Sequence, residues 1–174
     1  SHSLSFLIHL KMTGQLIYKN GDLKVGGGHP TSDWIGSLPS KHTRVKINFT
    51  DQTTLFFNDQ RVFGWIKIID QETLAHELRN YGPDVTDSAV TPTFLWQKFQ
   101  HRKIPVKLAI MDHKLISGVG NIYANDGLNL AKIDPRRPAQ SLTKTEVRYL
   151  HRALLEVINS GIALGGASIK DYLN

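Results

Sequence analysis

The sequence predicts an α+β chain, with strands first and helices after. Three features point that way. Apolar and polar residues alternate in several runs up to Ile69, the two-residue period of half-buried strands. Beyond Asp70 the apolar spacing becomes helical. Threonine and proline then mark helix starts through the second half. This order favours two layers or two subdomains over a βαβ arrangement. The boundary is expected near Val85–Thr91, giving a β-rich domain over 1–87 and a helical domain over 88–174.

Leu4, Phe6, Ile8 and Leu10 alternate with Ser5, Leu7 and His9 in a first strand. Val45, Ile47 and Phe49 do the same in a second, and Thr50-Asp51-Gln52 turns the chain into a third at Thr53–Phe57. These two form a hairpin signal. Val62–Ile69 reads as a further strand. Lys19–Ser40, with Gly26-Gly27-Gly28 and two prolines, reads as a long surface loop. No Gly-Lys-Ser/Thr follows those glycines, so they form no phosphate loop.

In the second half, Leu74, Leu78 and Tyr81 share a helical face that Gly82-Pro83 ends. Thr91-Pro92 supplies a cap and a proline suited to the first helical position. Pro105 opens a helix through Asp112, and Asn121 opens another to about Leu130. Thr143 and Glu146 form a capping box. The helix they start carries Val147, Leu150, Leu154, Leu155 and Ile158 on one face and is expected to end at Gly161.

Composition narrows the function. With 40% apolar and 21% charged residues the chain is not disordered. No apolar run is long enough for a transmembrane helix, and no secretory leader is visible. The chain opens at Ser1 without methionine, as a processed, tagged or excised chain does. It has no cysteine, which excludes disulfides, thiol catalysis and cysteine-based zinc sites within these residues. No histidine pair has metal-ligand spacing, so no metal site is predicted.

The charge is uneven. Between Lys98 and Arg152 eleven Lys/Arg face four Asp/Glu, whereas the rest of the chain has ten and eleven. A basic half beside a near-neutral one suits a polyanion such as nucleic acid. An ordinary solvated surface is the other reading. Within the basic half, the helix ending near Asp112 is joined to the one starting at Asn121 by a turn holding Gly118 and Gly120. Glycines let backbone N–H groups approach a partner closely, and a helix start is a natural phosphate site. Helix–turn–helix pairs are common in DNA binding, and equally ordinary as packing units.

Five segments, in order, carry a resemblance. They are His9-Leu10-Lys11-Met12-Thr13-Gly14, Asn58-Asp59-Gln60-Arg61-Val62-Phe63-Gly64, Gly82-Pro83-Asp84, the Gly118–Ala124 turn preceded by Met111-Asp112, and Gly165–Tyr172. Together they resemble the formamidopyrimidine-DNA glycosylase family and span nearly the whole chain. The resemblance implies a partial β-sandwich followed by a helix–two-turn–helix domain. It implies base-excision repair of oxidised purines (8-oxoguanine and formamidopyrimidines) in a monomeric, cytoplasmic bacterial protein. The partner is double-stranded DNA containing oxidised bases or abasic sites, with no membrane involved.

Residue by residue, the resemblance implies that Met12, Arg61 and Phe63 fill the gap left by an everted base. Read without it, Met12 and Phe63 are core residues. The family's phosphate contacts fall on His42, Lys107 and Asn121. Tyr123 belongs to the turn motif but reads equally well as core. Lys170 lies at a lesion-side position, and His9 belongs to the strand's structure.

The departures are specific. The family's N-terminal proline nucleophile and its catalytic glutamate match no residue here, nor does its β-domain lysine. No catalytic residue is therefore assigned, and the chain is expected to bind DNA without cutting it. The zinc finger of full-length members is absent. Val62 replaces a second basic residue, and Asp126 stands where glutamate is common. A non-enzymatic DNA-binding paralogue and an endonuclease VIII-like pyrimidine-lesion glycosylase are the alternatives. The Met12, Arg61 and Phe63 set argues against the latter.

Overall fold

The computed structural model describes residues 4–28 and 36–164. The chain forms two compact units, 1–74 and 75–174. The division falls inside the first helix, upstream of the expected 87/88. The reason lies in the packing: Val85 and Val90, in the expected linker, are buried in the core of the helical unit.

Among its described residues the first unit is antiparallel and holds two sheets. β1 (Ser5–His9) pairs with β6 (Trp65–Ile69), with Ser5 opposite Ile69 and His9 opposite Trp65. The other sheet has the order β3-β2-β5-β4, built from β2 (Gly14–Asn20), β3 (Leu23–Gly28), β4 (Thr43–Asn48) and β5 (Thr54–Asp59). Its central strands carry the unit's buried apolar side chains, Ile17 on β2 and Phe56 and Phe57 on β5.

Two strand expectations need correction. Part of the loop expected over Lys19–Ser40 is a hairpin, because Gly21 at φ +57° lets β2 turn directly into β3, with Asn20 opposite Leu23. Such a glycine is what a two-residue hairpin turn requires. The last strand begins at Trp65 and not at Val62, because Val62 adopts φ +59° and leaves extended geometry.

α1 (Gln71–Leu78) straddles the division, and the second unit is otherwise helical: α2 (Pro92–Phe99), α3 (Val106–Ile110), α4 (Asn121–Leu130) and α5 (Lys144–Ala163). Thr91 caps α2 through the Phe94 N–H with Pro92 in the first turn, and the Thr143–Glu146 capping box starts α5. α1 differs from expectation. It ends at Leu78, none of its residues is buried, and Leu78 and Tyr81 are exposed.

The core gathers Leu95 and Phe99 from α2, Ala109 and Ile110 from α3, Ala124 and Leu128 from α4, and Val147, Leu150, Leu154 and Ile158 from α5. Gly161, expected to end α5, lies inside it and is buried. A Cβ there would overlap the Tyr123 hydroxyl, so the glycine serves the close approach of α4. Tyr123 is thereby tied to packing. None of the described helices is long and apolar enough to cross a membrane.

Candidate nucleic-acid interface

Two turns of the first unit carry the expected gap-filling residues. The turn from β1 to β2 closes through the Gly14 N–H to the Leu10 carbonyl at 2.9 Å and presents Met12. Lys11, at φ +52°, donates its N–H to His9 Nδ1 at 3.0 Å. Burial, and then the Lys11 charge, push the His9 ring below its ordinary pKa. His9 is structural here. The turn from β5 to β6 presents Arg61 and Phe63.

The three side chains meet. Arg61 Nη1 lies 3.4 Å from Met12 Sδ, and the Arg61 guanidinium lies 4.8 Å from the Phe63 ring centre. Met12 is 65% exposed and Phe63 55%. The core reading of these two residues is therefore wrong. They form an apolar, cation-tipped cluster standing in solvent.

Beneath the cluster sits Asp59, only 1% exposed and missed by the sequence reading. Its Oδ1 accepts from Thr13 Oγ1 at 2.5 Å and from the Arg61 N–H at 3.2 Å. Its Oδ2 accepts the Gly64 N–H at 2.7 Å. Burial pushes this carboxyl up, but hydrogen bonds from Thr13 and from the N–H groups of Gly64, Arg61 and Phe63 together hold it below the usual range. A Cβ at Gly64 would press on Phe57, the His9 carbonyl and Asp59, so only glycine fits there.

His42, half-buried before β4, accepts the Asp59 N–H on its carbonyl at 2.9 Å. It thus belongs to the same locality as the cluster. Arg44, not singled out from sequence, donates Nε to the Asp59 carbonyl at 2.9 Å and adds a cation there.

The second unit places Gly118, Gly120, Asn121 and Lys107 about one helix–turn–helix. Gly118 has φ +88°, a conformation L side chains rarely adopt. The Gly82-Pro83-Asp84 segment buttresses this turn. Gly82 donates to the His113 carbonyl at 2.8 Å, Ser117 to the Pro83 carbonyl at 2.9 Å, and Val85 to the Ser117 carbonyl at 3.0 Å. Gly120 is different. Its φ is −88°, a Cβ there would meet nothing within 4 Å, and it caps α4 without a side-chain hydrogen bond. Asn121 is exposed at the first position of that helix. The N–H groups of this first turn thus lack a capping side chain. Lys107, on α3, is half-buried.

Lys170 and the Gly165–Tyr172 segment lie outside the described residues. Among the described residues no cluster of His, Asp and Glu could hold a metal ion, and the chain has no cysteine. These residues do not fit the zinc that the resemblance implies for longer members.

A family model of the formamidopyrimidine-DNA glycosylase N-terminal domain matches residues 1–66. A second, of the formamidopyrimidine-DNA glycosylase H2TH domain, matches residues 81–172. The chain belongs to the formamidopyrimidine-DNA glycosylase family. Among its relatives, the formamidopyrimidine-DNA glycosylase of Desulforamulus reducens is 34% identical over 176 residues, covering 100% of this chain and 58% of the relative. That of Chloroflexus aurantiacus is 34% identical over 165 residues, covering 95% and 54%.

Solved structures of the family agree. Lactococcus lactis Fpg in complex with DNA containing an abasic site superposes with a TM-score of 0.78 at 26% identity, over 95% of this chain and 56% of that one. MutM in complex with DNA containing carbocyclic 8-oxo-G gives 0.79 at 25% identity, over 96% and 59%. The chain thus spans little more than half the length of these relatives.

Proposed function

We propose that this chain carries the duplex-recognition part of a base-excision repair glycosylase and AP lyase for oxidised purines. The observation that carries the reading is the preassembled, solvent-facing cluster of Met12, Arg61 and Phe63. An everted base leaves an apolar slot in the stack and an unpaired partner base. Flexible Met12 and flat Phe63 fill and wedge that slot. Arg61 offers fixed donors to the acceptors of an orphaned cytosine.

Phosphate contacts hold the duplex in register without reading sequence. Asn121 and the N–H groups of the α4 first turn bind one phosphate, and the open space at Gly120 allows that backbone to come close. Lys107 and His42 add further contacts, and Lys170 is assigned to the lesion side. In the complete enzyme, by analogy with the family, an unprotonated secondary amine attacks the sugar C1′, the base leaves and β,δ-elimination follows. No described residue is assigned a catalytic step, so the 174-residue chain is proposed to bind damaged duplex without cutting it.

The test is a titration of the 174-residue chain with two duplexes, one holding a tetrahydrofuran abasic analogue opposite cytosine and one undamaged. Tighter binding to the abasic duplex, reduced by Phe63→Ala, is expected. Equal affinity for the two duplexes would reject the reading. A borohydride-trapped adduct with an abasic duplex would reject the assignment of binding without cleavage.

A further inference from the structure

Asp59 is the only buried carboxylate among the described residues. Burying an ionised group is costly unless all its acceptor sites are used. Among the described residues no cation pairs with it, since the nearby Arg44 guanidinium reaches the Asp59 main-chain carbonyl instead. Its partners are the Thr13 hydroxyl and main-chain N–H groups of the following turn.

Those partners come from two turns far apart in sequence. Thr13 follows Met12, and Arg61 and Gly64 bracket Phe63. Thr13 Oγ1 also accepts the Arg61 N–H at 3.1 Å, so hydroxyl and carboxylate cross-link the turns. Between the anchored Arg61 and Gly64 lies Val62 at φ +59°. A β-branched residue takes up such a conformation only when its surroundings enforce it.

An amide could not replace the carboxylate. With Oδ1 engaged by Thr13 and Arg61, an asparagine would turn its NH₂ toward the Gly64 N–H, donor against donor. Serine would reach only one of the turns.

We infer that Asp59 is the positioning residue of the DNA wedge, clamping the Met12 turn to the Arg61–Phe63 turn so that the three side chains are assembled before DNA arrives. The inference rests on the DNA-binding reading above. Asp59 itself touches no DNA. Its contribution is preorganisation, which lowers the ordering cost of binding.

The experiment compares Asp59→Asn and Thr13→Val with the unmodified 174-residue chain. Amide exchange at Gly64 should quicken by about tenfold or more in Asp59→Asn, as loss of its charged acceptor implies, with a smaller increase at Arg61, whose N–H keeps Thr13 Oγ1, and a smaller effect again in Thr13→Val. Exchange at Phe56 and Phe57 should be unchanged. The preference for the abasic duplex should fall in Asp59→Asn to the level of Phe63→Ala, and the double variant should lose nothing more. If Asp59→Asn does not fold, Thr13→Val carries the same readouts at smaller amplitude.

Unchanged turn exchange, or losses from Asp59→Asn and Phe63→Ala that simply multiply, would overturn this role while leaving the DNA reading intact. An unmodified chain with no abasic preference would overturn both.

Discussion

The β unit and the helical unit present their candidate contact groups by opposite means. In the helical unit a continuous apolar core runs from Val85 to Ile158. Its candidate contact is largely backbone: a glycine turn and an uncapped helix start mounted on that core. In the β unit the buried apolar residues among those described are Ile17, Phe56 and Phe57, while Leu4, Phe6, Val45, Phe49 and Ile68 are exposed. Its candidate contact is made of side chains on two turns, cross-linked by a buried carboxylate. A phosphate needs donors at fixed positions, which rigid backbone supplies. A gap in a base stack needs protruding apolar bulk, which cannot be part of the core that supports it. The different chemical tasks account for the different constructions.

The largest contrast concerns phenylalanine. Phe99→Ala removes a fully buried ring from the helical core and should cost about 3–5 kcal/mol. Phe63→Ala should cost under about 1 kcal/mol, as surface changes do. Denaturant unfolding of the two variants beside the parent measures both. A cost at Phe63 in the range expected for Phe99 would return it to the core and remove the wedge.

Next come the two glycines of the turn. Gly118→Ala forces a Cβ into φ +88° and toward Asp84 Oδ2 at 3.1 Å, and should cost about 1–2 kcal/mol. Gly120→Ala meets open space and an ordinary φ, so it should cost less, about 0.5–1 kcal/mol, because alanine is a poorer N-cap than glycine. It should nevertheless weaken binding to damaged and undamaged duplex alike. Thermal melts and duplex titrations together separate fold from contact. A Gly120→Ala chain that binds DNA normally would remove the close backbone approach.

Glu146 tests the helical unit through pH. Arg137 holds its carboxyl down to about 2, assisted by the Thr143 N–H and hydroxyl. The folded pKa lies below the ordinary 4.5, so the stabilisation is complete above that value. It declines as pH falls toward 2 and the folded carboxylate takes up its proton. Glu146→Gln should cost about 1 kcal/mol at neutral pH, from the weakened ion pair and capping box. It should also flatten the acid limb of the stability profile. An unaltered acid limb would assign that pH dependence to other carboxylates.

The smallest effect is electrostatic. Lys107→Ala should reduce the slope of log affinity against log salt by about one, equally for damaged and undamaged duplex, and Asn121→Ala by much less. An unchanged slope for Lys107→Ala would remove it from the phosphate contacts.

Legibility in the sequence followed range. Helix starts were readable because a cap is decided within four residues, as at Thr91-Pro92, Thr143 with Glu146, and Gly120-Asn121. The hairpin from β2 to β3 was also within reach, since Asn20-Gly21-Asp22 is a hairpin signal, but the triple glycine after it obscured the strand. The Met12, Arg61 and Phe63 set was legible by family resemblance alone. Its residue types by themselves pointed into the core.

The sequence by itself determined the α+β order, the basic half, the helix starts and the family. Only tertiary structure decided that Met12 and Phe63 stand in solvent and that Asp59 joins their turns. It also decided that Gly161 sits inside a helix to admit Tyr123. The physical reason is separation along the chain. Thr13 and Asp59 are 46 residues apart and donate and accept at 2.5 Å, and nothing in either residue's neighbourhood in sequence signals the other. Caps and turns are set by adjacent residues, whereas burial and the pairing of a buried charge are set by whatever the fold brings alongside.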